Sequence, residues 1–173
     1  MFPNAPSVRS IALDEIIDRS PSVVALDTPL AEVLALMCQS EDRFDKSGVA
    51  GSSCVLVTET GNLAEPLLGM FTERDLIRLA AAGTSLTELV VAAVMTQPAI
   101  AMAETECQDI DTVFSLLQHH QIRNLPVVDK NGKLVGAIAQ NHLLRALNPE
   151  ELQQTIGTLQ QQVSQLQTEK QEL

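Results

Sequence analysis

The chain contains no tryptophan and no tyrosine, and its four phenylalanines bring aromatic content to only 2% of 173 residues. Proteins that hold single-stranded nucleic acid stack its bases on aromatic faces, so that mode is closed. Basic residues are equally scarce, 11 Lys and Arg against 22 Asp and Glu, for a net charge of -11. A chain this acidic has no field to draw in a phosphate backbone. Nucleic acid is therefore excluded as a partner. Cys38, Cys54 and Cys107 are odd in number and show no C-x-x-C spacing. Neither a disulfide framework nor a zinc site is indicated, and each is read as a small apolar residue. Three histidines give no Ser-His-Asp or Cys-His arrangement, and Asp109 and Asp111 lack the spacing of a calcium loop. No catalytic residues and no metal are expected. No run reaches the roughly 18 to 20 apolar residues that span a bilayer, and no basic stretch followed by an apolar one opens the chain. The expectation is a cytoplasmic protein with no membrane insertion.

What is present is a repeat. Gly69-Met70-Phe71-Thr72-Glu73-Arg74-Asp75 returns 67 residues later as Gly136-Ala137-Ile138-Ala139-Gln140-Asn141-His142, and the same offset pairs Leu76 with Leu143 and Ile77 with Leu144. Upstream, Asp18 to Val24 aligns with Met95 to Ala101 at an offset of 77, so the first copy is the longer. A fixed register across several segments marks duplication. The threonine and the aspartate, however, occur only in the first copy.

Periodicity gives each copy the same order. In the first, Ile11–Ile17 reads as a short helix and Val23–Leu26 as a buried strand. A helix capped by Asp27 or Thr28, with Pro29 in its first turn, runs to about Gln39. A polar loop occupies residues 40–53. Strands at Cys54–Val57 and Leu67–Phe71 follow, then a helix over Thr72–Ala82 stopped by Gly83. The second copy reads as helix Leu86–Val94, strand Ala99–Met102, helix Ile110–His120, strands Leu125–Val128 and Leu134–Ala139 joined by an Asn131-Gly132 turn, and helix His142–Leu147. Beyond Pro149, Leu152, Ile156, Leu159, Val163, Leu166, Lys170 and Leu173 recur at spacings of 4 and 3, a heptad seam with one lysine in it. This predicts a coiled coil; an amphipathic helix folded back on the domain is the alternative.

These segments identify a family. Val94-Met95-Thr96-Gln97-Pro98, His120-Gln121-Ile122-Arg123-Asn124-Leu125-Pro126-Val127-Val128-Asp129, Leu134-Val135-Gly136 and Leu68-Gly69-Met70-Phe71-Thr72-Glu73-Arg74-Asp75 together resemble a tandem pair of CBS domains, a Bateman module. The long first-copy loop and the heptad tail resemble the N-terminal CBS pairs of cyanobacterial multidomain sensor histidine kinases. The resemblance implies an α+β fold of two βαββα-type repeats, packed sheet to sheet about a pseudo-two-fold axis and followed by a coiled-coil helix. The expected divisions are 7–83, 84–148 and 149–173.

In this family the Gly-x-x-Thr-x-x-Asp pattern holds adenosine ligands, which carries a ligand role onto Thr72 and Asp75. The physical logic is independent: a carboxylate accepts charge-assisted hydrogen bonds from the paired hydroxyls of a ribose, and a hydroxyl at a helix start caps the turn or meets a phosphate. Both residues equally suit a plain N-cap and first-turn carboxylate. The resemblance brings Arg123 and Asn124 of the second copy to the same cleft, where Arg123 would grip a phosphate and Asn124 replaces the usual basic residue. An adenine slot near Val23, Val24, Met70 and Phe71 is expected, although these four also suit an ordinary core. Ala139 and His142, with Gly51 and Ser52, should leave the second site weak or empty. The chain thus reads as a non-catalytic regulatory module. It would bind AMP, ADP, ATP or S-adenosylmethionine as a homodimer joined through its CBS domains and coiled coil. The rival is a ligand-free structural dimerisation module.

Overall fold

The computed structural model describes residues 16–42, 54–107 and 109–146. The expected Ile11–Ile17 helix, the loop at 40–53 and the heptad segment lie wholly or largely outside that range. Copy one runs β1 (Val23–Ala25), α1 (Leu30–Asp42), β2 (Cys54–Thr58), β3 (Gly69–Thr72) and α2 (Glu73–Ala81). Copy two repeats it as β4 (Met102–Ala103), α3 (Ile110–His120), β5 (Asn124–Val128), β6 (Leu134–Ala139) and α4 (Gln140–Ala146). Each forms a three-stranded sheet, β1-β2-β3 and β4-β5-β6, with its first pair parallel and its second antiparallel. A parallel pair needs a crossover, which α1 and α3 supply.

Strand alternation divides the core. Val24, Val55, Val57 and Phe71 point to the helix side and pack with Leu30, Val33 and Met37 of α1. Their neighbours Cys54, Leu56 and Met70 point the other way, into a cluster with Leu134 and Ala137 of β6. Both faces of β2 are therefore covered, and all five of its residues are buried. Cys54 behaves as a core residue, whereas Cys38 on α1 is exposed.

The segment expected to be a helix over Leu86–Val94 forms only a 3-10 turn at Val91–Ala93. Its backbone is committed elsewhere. Leu89 C=O accepts from Leu30 N–H (2.8 Å), while Val91 N–H donates to Thr28 C=O (2.9 Å) and Ala92 N–H to Leu26 C=O (3.2 Å). Leu89 thereby satisfies an unpaired donor at the start of α1. That helix begins at Leu30, with Pro29 C=O accepting from Val33 N–H (3.2 Å), so Pro29 stands at the cap rather than inside the first turn. In the second copy the cap is a side chain: Asp109 accepts from Thr112 N–H (2.6 Å) and Thr112 Oγ (2.9 Å), and these bonds hold its carboxyl below the usual carboxylate range.

The lead-in segment of each copy packs on the other. Asp18 and Ala137 of β6 exchange two backbone hydrogen bonds (2.8 and 3.0 Å), and Thr96 and Met70 of β3 exchange two more (2.8 and 3.1 Å). Ile16 and Ile17 fill the second copy's core, beside Leu117, Leu125 and Ile138. Leu86, Leu89, Val94 and Met95 pack on the first copy's core. The repeated glycines lie under these crossings. A Cβ on Gly136 would come within 2.6 Å of Asp18 O and of Ile17 Cγ2, and one on Gly69 within 2.6 Å of Met95 Sδ and 2.9 Å of Thr96 O. Gly136→Ala should cost about 1–3 kcal/mol by overpacking against backbone. Gly69→Ala should cost less, since its nearest obstacle is a flexible thioether. Urea unfolding of both variants checks the order, and a neutral Gly136→Ala would contradict the crossing.

Candidate functional site

A cavity of about 390 Å³ opens between the β3–α2 junction of the first copy and the α3–β5 junction of the second. Met70, Thr72, Asp75 and Arg78 line one side, Gln121, Ile122, Arg123 and Asn124 the other, and Thr96 joins them from the connector. The fold brings Thr72, Asp75, Met70, Arg123 and Asn124 of the expected residues into one cavity. Phe71, Val23 and Val24 are not among its lining residues. Adjacent strand residues face opposite ways, so Met70 reaches the cleft while Phe71, with no exposed surface, is committed to the core beneath α1. Val24 shares that core, and Val23 sits against the cluster between the sheets.

Asp75 is the most constrained group here. It occupies the third position of α2 and is only 6% exposed. Oδ2 accepts from the backbone N–H of Thr72 (2.9 Å) and from Thr72 Oγ (2.7 Å). Oδ1 accepts from Thr96 Oγ (3.0 Å) and, at a longer 3.5 Å, from Arg78 Nη1. The carboxylate thus satisfies a donor at the start of α2, as the first-turn carboxylate of a capping box whose N-cap is Thr72. An ionised carboxylate only accepts, so the Thr72 hydroxyl must donate its proton to Asp75. That proton is committed to Asp75 in this structure, which corresponds to the helix-start side of the two roles expected of Thr72.

Phosphate contacts fall to arginines. Arg74, Arg78 and Arg123 all line the cavity, three of the chain's eleven basic residues. With Glu73 and Asp75 also present, the charged lining carries one net positive charge in a protein of net charge -11. Local structure places these groups. Helix α3 closes through Ile122 N–H to Leu117 C=O (3.0 Å), with Gln121 left-handed at φ 53°. The Gln121 carbonyl then accepts from Arg74 Nη2 at 3.3 Å, a bond between the two copies. Arg123 is exposed at its side chain, while its carbonyl accepts from Gln140 N–H (2.8 Å). Asn124 is buried at the first position of β5.

Sequence reasoning missed Thr96, Arg74 and Arg78. Arg74 and Arg78 lie four residues apart on α2, a spacing that puts them on one helix face with Asp75 between them in the chain, and this was a usable signal. Thr96 lies 21 residues from Asp75, and nothing local reveals that contact. Among the described residues, no three His, Cys, Asp or Glu side chains converge as a metal ion would need, and no helix is long and apolar enough to cross a membrane.

Two βαββα units, each lending its lead-in to the other, thus share one cleft with a convergent polar lining. The CBS domain model matches residues 13–82 and 91–149, and the chain belongs to the CBS domain family. An uncharacterized protein of Methanopyrus kandleri is 29% identical over 140 residues, 80% of this chain and 61% of that protein. The meiotically up-regulated gene 70 protein of Schizosaccharomyces pombe is 32% identical over 142 residues, 79% of this chain and 17% of its own length. The chain thus spans less than two thirds of either relative. A CBS domain protein from Pyrobaculum aerophilum complexed with AMP superposes with a TM-score of 0.62 at 22% identity, covering 79% of this chain and 95% of that one. CBSX2 in complex with AMP gives 0.58 at 22%, covering 78% and 93%. At such identities these structures establish the fold.

The ligand-free role of Asp75 has its own consequence. Asp75→Ala should lower stability by about 1–2 kcal/mol with no ligand present, because the Thr72 N–H loses its acceptor. Urea unfolding checks this, and unchanged stability would show that the bonds at Thr72 contribute nothing.

Proposed function

We propose that this chain is a regulatory CBS pair that binds an adenine nucleotide in the cleft between its copies and passes the event to a downstream signalling domain. The observation that carries the reading is the composition of the cleft: a buried carboxylate ringed by hydroxyls beside three arginines, in a chain otherwise strongly acidic. The ribose lies at Asp75, displacing the long contact from Arg78. The phosphate meets Arg123, with Arg74 and Arg78 at hand, and the adenine packs against Met70 and Ile122. A volume of about 390 Å³ falls within the range of about 300–1,000 Å³ usual for small-ligand pockets. The AMP complexes of two structural neighbours support the ligand class.

Among adenosine ligands, AMP, ADP and ATP suit the arginines better than S-adenosylmethionine, whose sulfonium adds positive charge. The 67-residue echo of the cleft, Ala139 for Thr72 and His142 for Asp75, lacks the hydroxyl and the carboxylate, so one ligand binds per chain. The heptad spacing of residues 152–173 supports a homodimer joined through its CBS domains and a coiled coil. That coiled coil would relay the signal to an effector such as a histidine kinase of the cyanobacterial type, in the cytoplasm.

Thermal unfolding with AMP, ADP, ATP and S-adenosylmethionine tests the reading. A ligand at a hundred times its Kd adds about 2.7 kcal/mol, so at least one nucleotide should raise the Tm by several degrees. No shift with any of them at saturating concentration would leave the structural dimerisation module as the function. Arg123→Ala should weaken AMP by about tenfold or more, the scale of a hydrogen bond to a charged group, and leave adenosine binding unchanged. Equal losses for AMP and adenosine would place the phosphate elsewhere.

A further inference from the structure

Thr96 belongs to neither repeated strand-to-helix turn. It lies in the connector between the copies, yet its hydroxyl sits 3.0 Å from Asp75 Oδ1. Its backbone is pinned by both bonds to Met70, at 2.8 and 3.1 Å. The side chain therefore hangs from a fixed point over the cavity, which it lines. The two oxygens of Asp75 offer about four acceptor positions. Thr72 takes two on Oδ2, and Thr96 takes one on Oδ1. Only the position held by Arg78 at 3.5 Å can be ceded readily. A ribose, however, presents two hydroxyls. With one position open on Asp75, the second hydroxyl needs another acceptor beside Oδ1. The Thr96 oxygen is placed to be that acceptor, since it spends its proton on Asp75 and keeps its lone pairs.

We propose that Thr96 is the second recognition group for the ligand's ribose: it orients Asp75 Oδ1 and itself accepts a hydrogen bond from one hydroxyl of the 2′,3′-diol. Asp75 accepts from the other. Thr72 fixes the far oxygen and does not touch the diol. The connector between the copies thereby becomes part of the binding site, and a bound ribose ties it to α2. This rests on the nucleotide reading above and adds to it a residue and a preference for the intact diol.

The experiment is calorimetric titration of AMP, 2′-deoxy-AMP and 3′-deoxy-AMP into the wild-type chain and into Thr96→Val, Thr96→Ala and Thr96→Ser. The wild type should prefer AMP to the analogue lacking the hydroxyl held by Asp75 by about tenfold or more, the scale of a bond to a charged group, and to the analogue lacking the hydroxyl held by Thr96 by about 3- to 10-fold, the range of a neutral hydrogen bond. Thr96→Val should bind AMP more weakly by a similar factor and lose its preference over at least one analogue. Thr96→Ser should restore both properties. A merely structural threonine would weaken all three ligands alike, leaving the ratios untouched. Should Thr96→Val not fold, Thr96→Ala decides on the same ratios, since it removes atoms without adding bulk. Retention of both preferences without the hydroxyl, or a wild type indifferent to the diol, overturns the role of Thr96 while nucleotide binding stands. Absence of binding by all three ligands in the wild type removes the nucleotide reading itself.

Discussion

The structure depends on a reciprocal crossing, in which the lead-in of each copy pairs with the third strand of the other. Two backbone hydrogen bonds at Asp18 and Ala137, and two at Thr96 and Met70, require the chains to approach so closely that no Cβ fits at Gly136 or Gly69 without displacing its neighbours. A three-stranded sheet with one or two helices is too small to bury both its faces alone. Here each copy borrows apolar residues from the other, Ile16 and Ile17 in one direction and Leu86 to Met95 in the other. The remaining faces meet through Leu56, Met70, Leu134 and Ala137. Neither core is complete without the partner copy's segment.

The same crossing builds the cleft. By holding Thr96 on β3 it carries a connector hydroxyl to the start of α2, where the Asp75 carboxylate already serves the backbone of Thr72. Asp75 thus holds the helix start in place and keeps one oxygen turned toward the cavity. A carboxylate oriented by three hydrogen bonds has little freedom to lose when a ligand arrives. Across the cleft, the left-handed Gln121 ends α3 and offers its carbonyl to Arg74, a direct bond between the two walls. Under the proposed function, a ligand between those walls would contact both copies at once.

Much of this was legible in the residues. The 67-residue register located both glycines, although only the structure shows the crossing segments above them. The order βαββα followed from periodicity, because strand alternation and helix spacing are local signals. The gathering of Thr72, Asp75, Arg123 and Asn124 followed from the family pattern, since the two pairs lie about fifty residues apart in the chain. Other features were hidden for identifiable reasons. Leu86 to Val94 has helical apolar spacing, but its carbonyls and N–H groups serve the neighbourhood of α1, and only tertiary structure reveals that commitment. Phe71 and Val24 face the core under α1 for a reason the sequence does carry: consecutive strand residues cannot both face a cleft.

The central claim is that one ligand per chain binds where both copies and the connector meet. Titration of the isotopically labelled chain with AMP, followed by amide chemical shifts, tests it most directly. The account predicts saturable changes grouped at Met70 to Arg78, at Thr96 and at Gln121 to Asn124, with the second copy's β6–α4 turn, Ala139 to Asn141, moved less and only through its bonds to Arg123 and Asn124. Changes confined to the second copy's turn, or none at saturating AMP, would contradict it.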